Sequence, residues 1–172
     1  CSICLTIFLI HFLKPKMSKI LSVALEIEVK NARSPSAGVL TAGQPSQVQL
    51  EALHTAGVTH FISLRPATED GAGWEEDHHA AATGADYIFH RLPISGASSL
   101  TRENVDTFAA LLREAGETEI MIYCGSSNRV GAMLALKAQW IDAVSADEAL
   151  QVGIASGMTS LEAPVRALLG MP

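Results

Sequence analysis

The segment TEIMIYCGSSNRVGAMLALKAQW, residues 118–140, joins two structural patterns through a short loop. TEIMIY is an apolar, isoleucine-rich run that predicts a short strand, whereas VGAMLALKAQWI has the apolar content of a buried helix. Between them, CGSSNR is mostly small and polar. A strand, a tight loop and a helix in this order can turn successive backbone N–H groups and the positive end of the helix towards one point. The segment therefore predicts an α/β unit with an anion-binding loop.

Working outward, strand and helix patterns alternate along the chain. Ser46 with Gln49, Ser145 with Glu148 and Thr159 with Glu162 are spaced as capping boxes, and Thr101 can cap a further helix. The predicted strands are VTHFISL and DYIFHRLPI, and the predicted helices are SQVQLEALHTAG, WEEDHHAAAT closed by Gly84, RENVDTFAALLREAG, SADEALQVGIASG and TSLEAPVRALL. The segment NARSPSAGVLTAGQPS reads as irregular.

This alternation predicts an α/β fold with three layers, in which a mostly parallel central sheet is flanked by helices. Ligands of such sheets bind at the carboxyl ends of the strands. Arg65, the SGASS loop (residues 95–99) and Cys124 all follow predicted strands, so we expect them at one edge of the sheet.

Composition limits the classes of function. The chain has 172 residues and a formal net charge of −6, which argues against a general nucleic-acid binder because a phosphate backbone requires a basic surface. Cys124 has no obvious disulfide partner, which favours a reducing, cytoplasmic compartment. The sequence does not predict an oligomeric state.

The N-terminal segment CSICLTIFLIHFL is apolar but short for a membrane span, and its lysines follow the apolar run instead of preceding it. We expect no stable membrane insertion, although this segment leaves export or anchoring open. Met17 begins an ordinary-looking sequence, and our hypothesis is that residues 1–16 are upstream translation or a truncated leader. We predict that residues 1–30 are a leader or extension outside the core and that residues 31–172 are the domain.

Cys124 and Arg129 carry the chemical prediction. A helix N-terminus and a nearby guanidinium both favour the thiolate form of a cysteine, which is the nucleophile. The planar fork of Arg129 suits two oxygens of a tetrahedral oxyanion, and the hydroxyls of Ser126 and Ser127 could add donors. The alternative is a buried strand-end cysteine beside a surface arginine. The position of the pair, between a strand and a helix, favours a reactive cysteine.

The motifs GVLTAGQPS, AGVTHFISLRP, YCGSSNRVGAMLALKAQW and ASGMTSLEAPVR together resemble the bacterial beta-lactamase-hydrolase-like phosphatase family, which belongs to the dual-specificity and tyrosine phosphatase-like superfamily. The resemblance runs from about Asn31 to Leu169. It implies hydrolysis of phosphate monoesters, phosphotyrosine among them, through a phosphocysteine intermediate and without a cofactor. The implied nucleophile is Cys124 and the implied phosphate clamp is Arg129. The predicted substrate-binding residues are Gly125, Ser126, Ser127, Asn128 and Arg65.

The chain departs from the usual phosphatase pattern at three points. Its loop has four residues between cysteine and arginine where Cys-x5-Arg is usual, Tyr123 stands where histidine is frequent, and Ser127 stands where a glycine is common. A loop of this length also resembles that of rhodanese sulfurtransferases, which form a cysteine persulfide. Sulfur transfer is therefore an alternative, and a module that binds phosphorylated partners or another small oxyanion without turnover is a third.

A phosphatase also needs a general acid for the leaving group, and the PISGASS segment contains no carboxylate. Glu69 and Asp70, on the loop after Arg65, are the nearest candidates. The alternative for both is a solvated pair that forms a turn. Arg65 itself is expected to be either a second anion contact or a strand-end charge that covers apolar surface.

The segment EEDHH places Glu75 and His79 one helical turn apart, a spacing found in metal sites. No other segment supplies a third ligand with suitable spacing. We therefore predict no metal site and expect this helix to present a solvated acidic face.

Overall fold

The computed structural model describes residues 18–82 and 86–172. Five strands form one sheet in the order β1-β2-β5-β3-β4, and only the β1–β2 pair is antiparallel. The strands are β1 (Arg33–Ser36), β2 (Val39–Ala42), β3 (Val58–Ser63), β4 (Ile88–Arg91) and β5 (Glu119–Tyr123). The predicted α/β class and mostly parallel sheet are confirmed.

Helices cover both faces of this sheet, as parallel strands require. They are α1 (Lys19–Glu26), α2 (Gln47–Ala56), α3 (Glu75–Ala81), α4 (Arg102–Ala115), α5 (Asn128–Trp140), α6 (Ala146–Ala155) and α7 (Glu162–Leu168). Helices α1 and α2 contribute to the core on one face, and α4 to α7 contribute to the core on the other. The three predicted layers are therefore present.

The central strand β5 divides its side chains between the two cores. Met121 and Tyr123 belong to the core beneath α1 and α2, whereas Ile120 and Ile122 belong to the core beneath α4 to α7. This alternation follows from the two-residue period of a strand. Cys124 continues the Ile120–Ile122 side, so its side chain points towards α5.

The predicted boundary at residue 30 does not agree with the packing. Ile20 and Ala24 of α1 and the following Val29 are buried in the same core as α2 and β3. The boundary was placed too late because an eight-residue amphipathic helix leaves only a weak signal next to the more apolar residues 1–16. The hypothesis about residues 1–16 lies outside the described residues and stays a prediction.

Several local predictions can be compared with the structure. The Ser46–Gln49 capping box and the Thr101 cap are both present. Ser145 caps α6, but the Glu148 carboxylate bonds to the Ser145 hydroxyl, so only half of that box forms. The segment predicted as irregular contains the β1–β2 hairpin, whose edge strand tolerates Pro35.

The predicted capping box of Thr159 and Glu162 is absent, so this prediction is wrong. Helix α7 begins at Glu162 after Leu161, with no side-chain cap, because the Thr159 and Leu161 N–H groups donate to Asn128 Oδ1 instead. The predicted helix stop at Gly84 lies outside the described residues. Within the described ranges, no helix combines the length and apolarity needed to cross a bilayer.

Candidate active site

The loop from Cys124 to Arg129 leaves the centre of the sheet at the carboxyl end of β5. Cys124 is fully buried, and its N–H donates to Ala42 O at 3.3 Å. Ser127 adopts φ 71°, ψ −5°, the left-handed region that glycine occupies most easily. This explains why a glycine would suit the position that Ser127 holds here.

The backbone N–H groups of residues 125–129 form the most distinctive feature of the loop. Across residues 18–82 and 86–172, these N–H groups have no close backbone acceptor apart from the contact implied by the β-bridge between Ser126 and Gly43. Buried or half-buried N–H groups rarely remain without a partner. Successive N–H groups at a helix N-terminus are suited to an anion.

The loop's polar side chains bond to protein groups behind the loop. Ser127 Oγ is buried and donates to Ser156 O at 2.7 Å. Asn128 Nδ2 donates to Ser160 Oγ at 2.8 Å, while its Oδ1 accepts from the backbone of residues 159 and 161. These contacts fix the loop, so the substrate contacts predicted for Ser127 and Asn128 would come from their backbone N–H groups.

Glycines hold helix α5 tightly against α6. A Cβ on Gly131 would lie 2.4 Å from Gly153 O and 2.5 Å from Met158 N, so no side chain fits there. Gly157, with φ +102°, leaves room for the side chain of Ser127. A Cβ at residue 157 would lie only 2.7 Å from the Cβ of Ser127. The helix that begins with Asn128 and Arg129 is therefore positioned by direct backbone contact.

Arg129 binds Glu69 across the site. Its Nη1 and Nη2 donate to the two Glu69 carboxylate oxygens at 2.5 and 2.9 Å, and Nη1 also donates to Ile94 O at 3.0 Å. Among the described residues, Nε has no oxygen acceptor, and Cys124 lies within reach of the guanidinium. The hydrogen bond to Glu69, and then the nearby Cys124, raise the pKa of Arg129 above its usual value. Arg129 is thus oriented, charged and adjacent to the cysteine.

Arg65 holds the loop that carries Glu69. Its Nε donates to Glu69 Oε1 at 2.8 Å, Nη1 to Gln44 Oε1 at 2.6 Å and Nη2 to Asp70 O at 2.5 Å. Its side chain is only 7% exposed. Every guanidinium nitrogen therefore has a protein partner, and the anion contact predicted for Arg65 would require one of these bonds to be exchanged.

Glu69 and Asp70, the two carboxylates considered as general acids, have different surroundings: Glu69 is bound by arginines and Asp70 is exposed. The hydrogen bond from Arg129, assisted by the one from Arg65, lowers the pKa of Glu69 to about 2 against the opposing effect of burial. Glu69 is therefore ionised under ordinary conditions and has no proton to donate, which argues against its predicted role as an acid. Asp70 has an exposed side chain at the same loop and stays a prediction.

Helix α3 exposes Glu76 and Asp77, as expected, but it buries the two residues considered as metal ligands. Glu75 is fully buried, accepting from Ser63 Oγ at 2.9 Å and from Arg91 Nη2 at 2.8 Å. His79 contacts the hydroxyls of Tyr87 and Tyr123 and stacks on Phe89 at 3.8 Å between ring centroids. Burial lowers the pKa of His79 to about 4. The prediction of a solvated face is therefore wrong for Glu75 and His79 only, whose polar groups have buried partners on the inner side of this short helix.

Two features of the site had little or no signal in the sequence. Gln44 contacts both the cysteine loop and Arg65. Its backbone N–H donates to Gly125 O at 3.5 Å, and its side-chain oxygen accepts from Arg65. A cavity of about 580 Å³ lies next to it, lined by residues 44–49 and Trp74. The TAGQPS motif pointed to this segment without indicating its role. Within the described parts of the chain, no three His, Cys, Asp or Glu side chains cluster as a metal site.

The sequence matches no protein-family model and no curated protein. Solved structures do match. A candidate phosphatase (DUF442) from Shewanella putrefaciens CN-32 is 17% identical with a TM-score of 0.64, and the match covers 87% of this chain and 98% of that one. A candidate phosphatase from Neisseria meningitidis Z2491 is 18% identical with a TM-score of 0.61, covering 78% and 96%.

A kinase-associated phosphatase, with serine in place of its catalytic-site cysteine, is 16% identical with a TM-score of 0.55, and the match covers 77% of this chain and 87% of that one. At these identities the likeness establishes the fold alone. The narrower beta-lactamase-hydrolase-like resemblance stays a prediction. This chain has the α/β fold of these phosphatase structures.

Proposed function

We propose that this protein is a cysteine-dependent phosphatase that hydrolyses phosphate monoesters. The observation that carries the proposal is the row of backbone N–H groups at residues 125–129, directly after Cys124, most of which have no protein acceptor among the described residues. Together with the Nε of Arg129, they offer donors to the oxygens of a phosphoryl group. The phosphatase fold of the similar structures supports this assignment.

The reaction proceeds in two displacements. The Cys124 thiolate attacks phosphorus, the ester P–O bond breaks, and its electron pair leaves with the leaving-group oxygen, which takes up a proton. Water then attacks the phosphocysteine, the P–S bond breaks, and inorganic phosphate and the thiolate are released. Arg129 and the loop N–H groups stabilise the charge on the phosphoryl oxygens in both steps.

Substrate entry involves the loop of residues 66–71. Cys124 has no exposed surface, and Glu69 Oε1 lies 3.7 Å from the position of a Cβ on Gly125. The Glu69 carboxylate therefore lies next to the cysteine loop. In this proposal the loop moves aside to admit the phosphoryl group, and Glu69 keeps the plane of Arg129 oriented through its two oxygens.

Asp70 is the carboxyl group we propose for protonating the leaving group. Its backbone is held by Arg65, while its side chain is exposed. A general acid matters most when the leaving oxygen is strongly basic. We expect Asp70→Asn to slow hydrolysis of an alkyl phosphate more than that of para-nitrophenyl phosphate. Equal effects on both substrates would remove Asp70 from this role.

The central experiment uses a background in which Cys1 and Cys4 are replaced by serine, so that Cys124 is the remaining thiol. One purified sample is assayed for para-nitrophenyl phosphate hydrolysis and for sulfur transfer from thiosulfate to cyanide. We expect hydrolysis that vanadate inhibits competitively, an acid-trapped mass increase of one phosphoryl group, and loss of both in Cys124→Ser.

Two results would contradict the proposal. Accumulation of a Cys124 persulfide with thiosulfate, without phosphate ester hydrolysis, would assign the protein to sulfur transfer, which the short loop also fits. Phosphate binding without turnover of any aryl phosphate would indicate a non-catalytic binding module.

A further inference from the structure

The segment from Lys30 to Arg33 runs along the outer side of the cysteine loop. Asn31 Nδ2 donates to Ser126 O at 3.0 Å, and Gly43, which forms a β-bridge with Ser126, donates its N–H to Lys30 O at 2.7 Å. A Cβ on Gly43 would lie 3.2 Å from Cγ and Cδ of Lys30 and 3.1 Å from Gly125 O. The lysine stem therefore lies against the start of the loop.

Arg33 approaches the other end of the loop. A Cβ built on Gly157 would lie 2.8 Å from Arg33 Nη1 and 2.7 Å from the Cβ of Ser127. Both side chains therefore approach the same point beside Gly157. Arg33 Nη1 also donates to Asn31 O at 3.4 Å. The Lys30 side chain thus passes near the Gly125 end of the loop, and the Arg33 guanidinium lies near the side chain of Ser127.

Neither of these two charges, Lys30 and Arg33, has an ion-pair partner within 4 Å among the described residues. Both side chains are exposed. By contrast, Arg65, Arg91 and Arg129 at the same edge of the sheet all bind glutamates. In a protein of net charge −6, two such cations beside an anion-binding loop create a local positive potential.

We propose that Lys30 and Arg33 form a second anion subsite, so that the preferred substrates carry another phosphate or a carboxylate close to the scissile phosphate. This inference rests on the proposed function, because the subsite is defined relative to a phosphate held by the loop. Arg33 supplies a planar fork and Lys30 a mobile point charge, a combination that accepts either group.

The test measures binding without turnover. Full-length Cys124→Ser is titrated by calorimetry with inorganic phosphate, tripolyphosphate and phosphoglycolate, before and after addition of Lys30→Ala and Arg33→Ala. The matched control adds Lys19→Ala and Arg113→Ala instead. These two exposed cations form no ion pair among the described residues, and their helix ends lie near Gly57 and Gly116, at the opposite edge of the sheet. Both variants carry the same net charge.

We expect tripolyphosphate to bind at least about tenfold more tightly than phosphate, and the Lys30/Arg33 variant to lose most of this preference while the control keeps it. Tight binding of phosphoglycolate would identify a carboxylate as the second group, and tight binding of tripolyphosphate alone would identify a phosphate. If phosphate binds but the preference is absent or survives both substitutions, the subsite is overturned and the proposed function stands. If no anion binds, the proposed function fails together with the subsite.

Discussion

The two sides of Arg129 are built in different ways. On one side, helices α5 and α6 meet through Gly131 and Gly153 with backbone atoms in contact, which fixes the start of α5. On the other side, the loop of residues 66–71 is held by the charged and polar contacts of Arg65 and Glu69. Close packing tolerates little change, whereas ion pairs near a surface exchange with water and solutes. The comparison indicates that the α5–α6 contact is rigid and sets the position of Arg129. The loop of residues 66–71, on the facing side, is the part that can open.

The largest effect is expected on the rigid side. Gly131→Ala would bring a Cβ within 2.4 Å of the Gly153 carbonyl, and relief requires the two helices to separate. We expect a loss of about 3 kcal/mol in the free energy of unfolding, measured by urea denaturation. Gly73→Ala is the control, because a Cβ there meets nothing within 4 Å. Similar losses in both variants would show that the helix contact is not the cause.

The next effect concerns the guanidinium between the two sides. Arg129→Lys keeps the charge but removes the planar fork, so it cannot bind Glu69 and a phosphoryl oxygen in the same arrangement. We expect kcat/KM for para-nitrophenyl phosphate to fall about ten- to a hundredfold, equivalent to roughly 1.5–3 kcal/mol. Arg113→Lys, on an exposed position of α4, should leave it unchanged. Near-native kinetics in Arg129→Lys would contradict the role of the fork.

A smaller effect is expected on the side that can open. Glu69→Gln removes one of the two acceptors that orient Arg129, so kcat should fall by about tenfold. The inhibition constant of vanadate should stay the same or decrease, because a negative charge next to the site is lost. A lower kcat together with an unchanged or lower inhibition constant would assign Glu69 a positioning role and not a role in substrate binding. Glu117→Gln is the control, and an unchanged kcat in Glu69→Gln would show that Arg129 is oriented without it.

The smallest effect is the pH dependence of stability. Because the folded-state pKa of Glu69 is about 2 and its ordinary value is 4.5, the ion pair stabilises the fold above pH 4.5 and loses this contribution as the pH falls towards 2. We expect wild type to exceed Glu69→Gln by about 1 kcal/mol in unfolding free energy at pH 7. The difference should shrink across that range. A pH-independent difference would mean that the carboxylate charge is not responsible.

The sequence predicted the parts of the site that depend on the fold class. Cys124 and Arg65 follow neighbouring parallel strands, and this alone brings them to one edge. The Glu69–Arg129 contact was missed, because sixty residues separate the pair and no local pattern encodes it. Helix α1 and the β1–β2 hairpin were missed for a different reason. Both elements are short, and their burial is decided by neighbours from elsewhere in the chain.

The position of β5 in the middle of the sheet has a consequence for folding during synthesis. Without residues 119–123, the earlier strands form only two separate pairs, β1 with β2 and β3 with β4. Such isolated pairs are barely stable in water. A nascent chain must therefore expose residues beyond 123 before its sheet can close. Because β2 and β5 are far apart in the sequence, their pairing also carries a large entropy cost of loop closure. The cysteine loop follows β5 directly and also bonds to Ser156 and Ser160, so it becomes fully fixed only after these later residues are available.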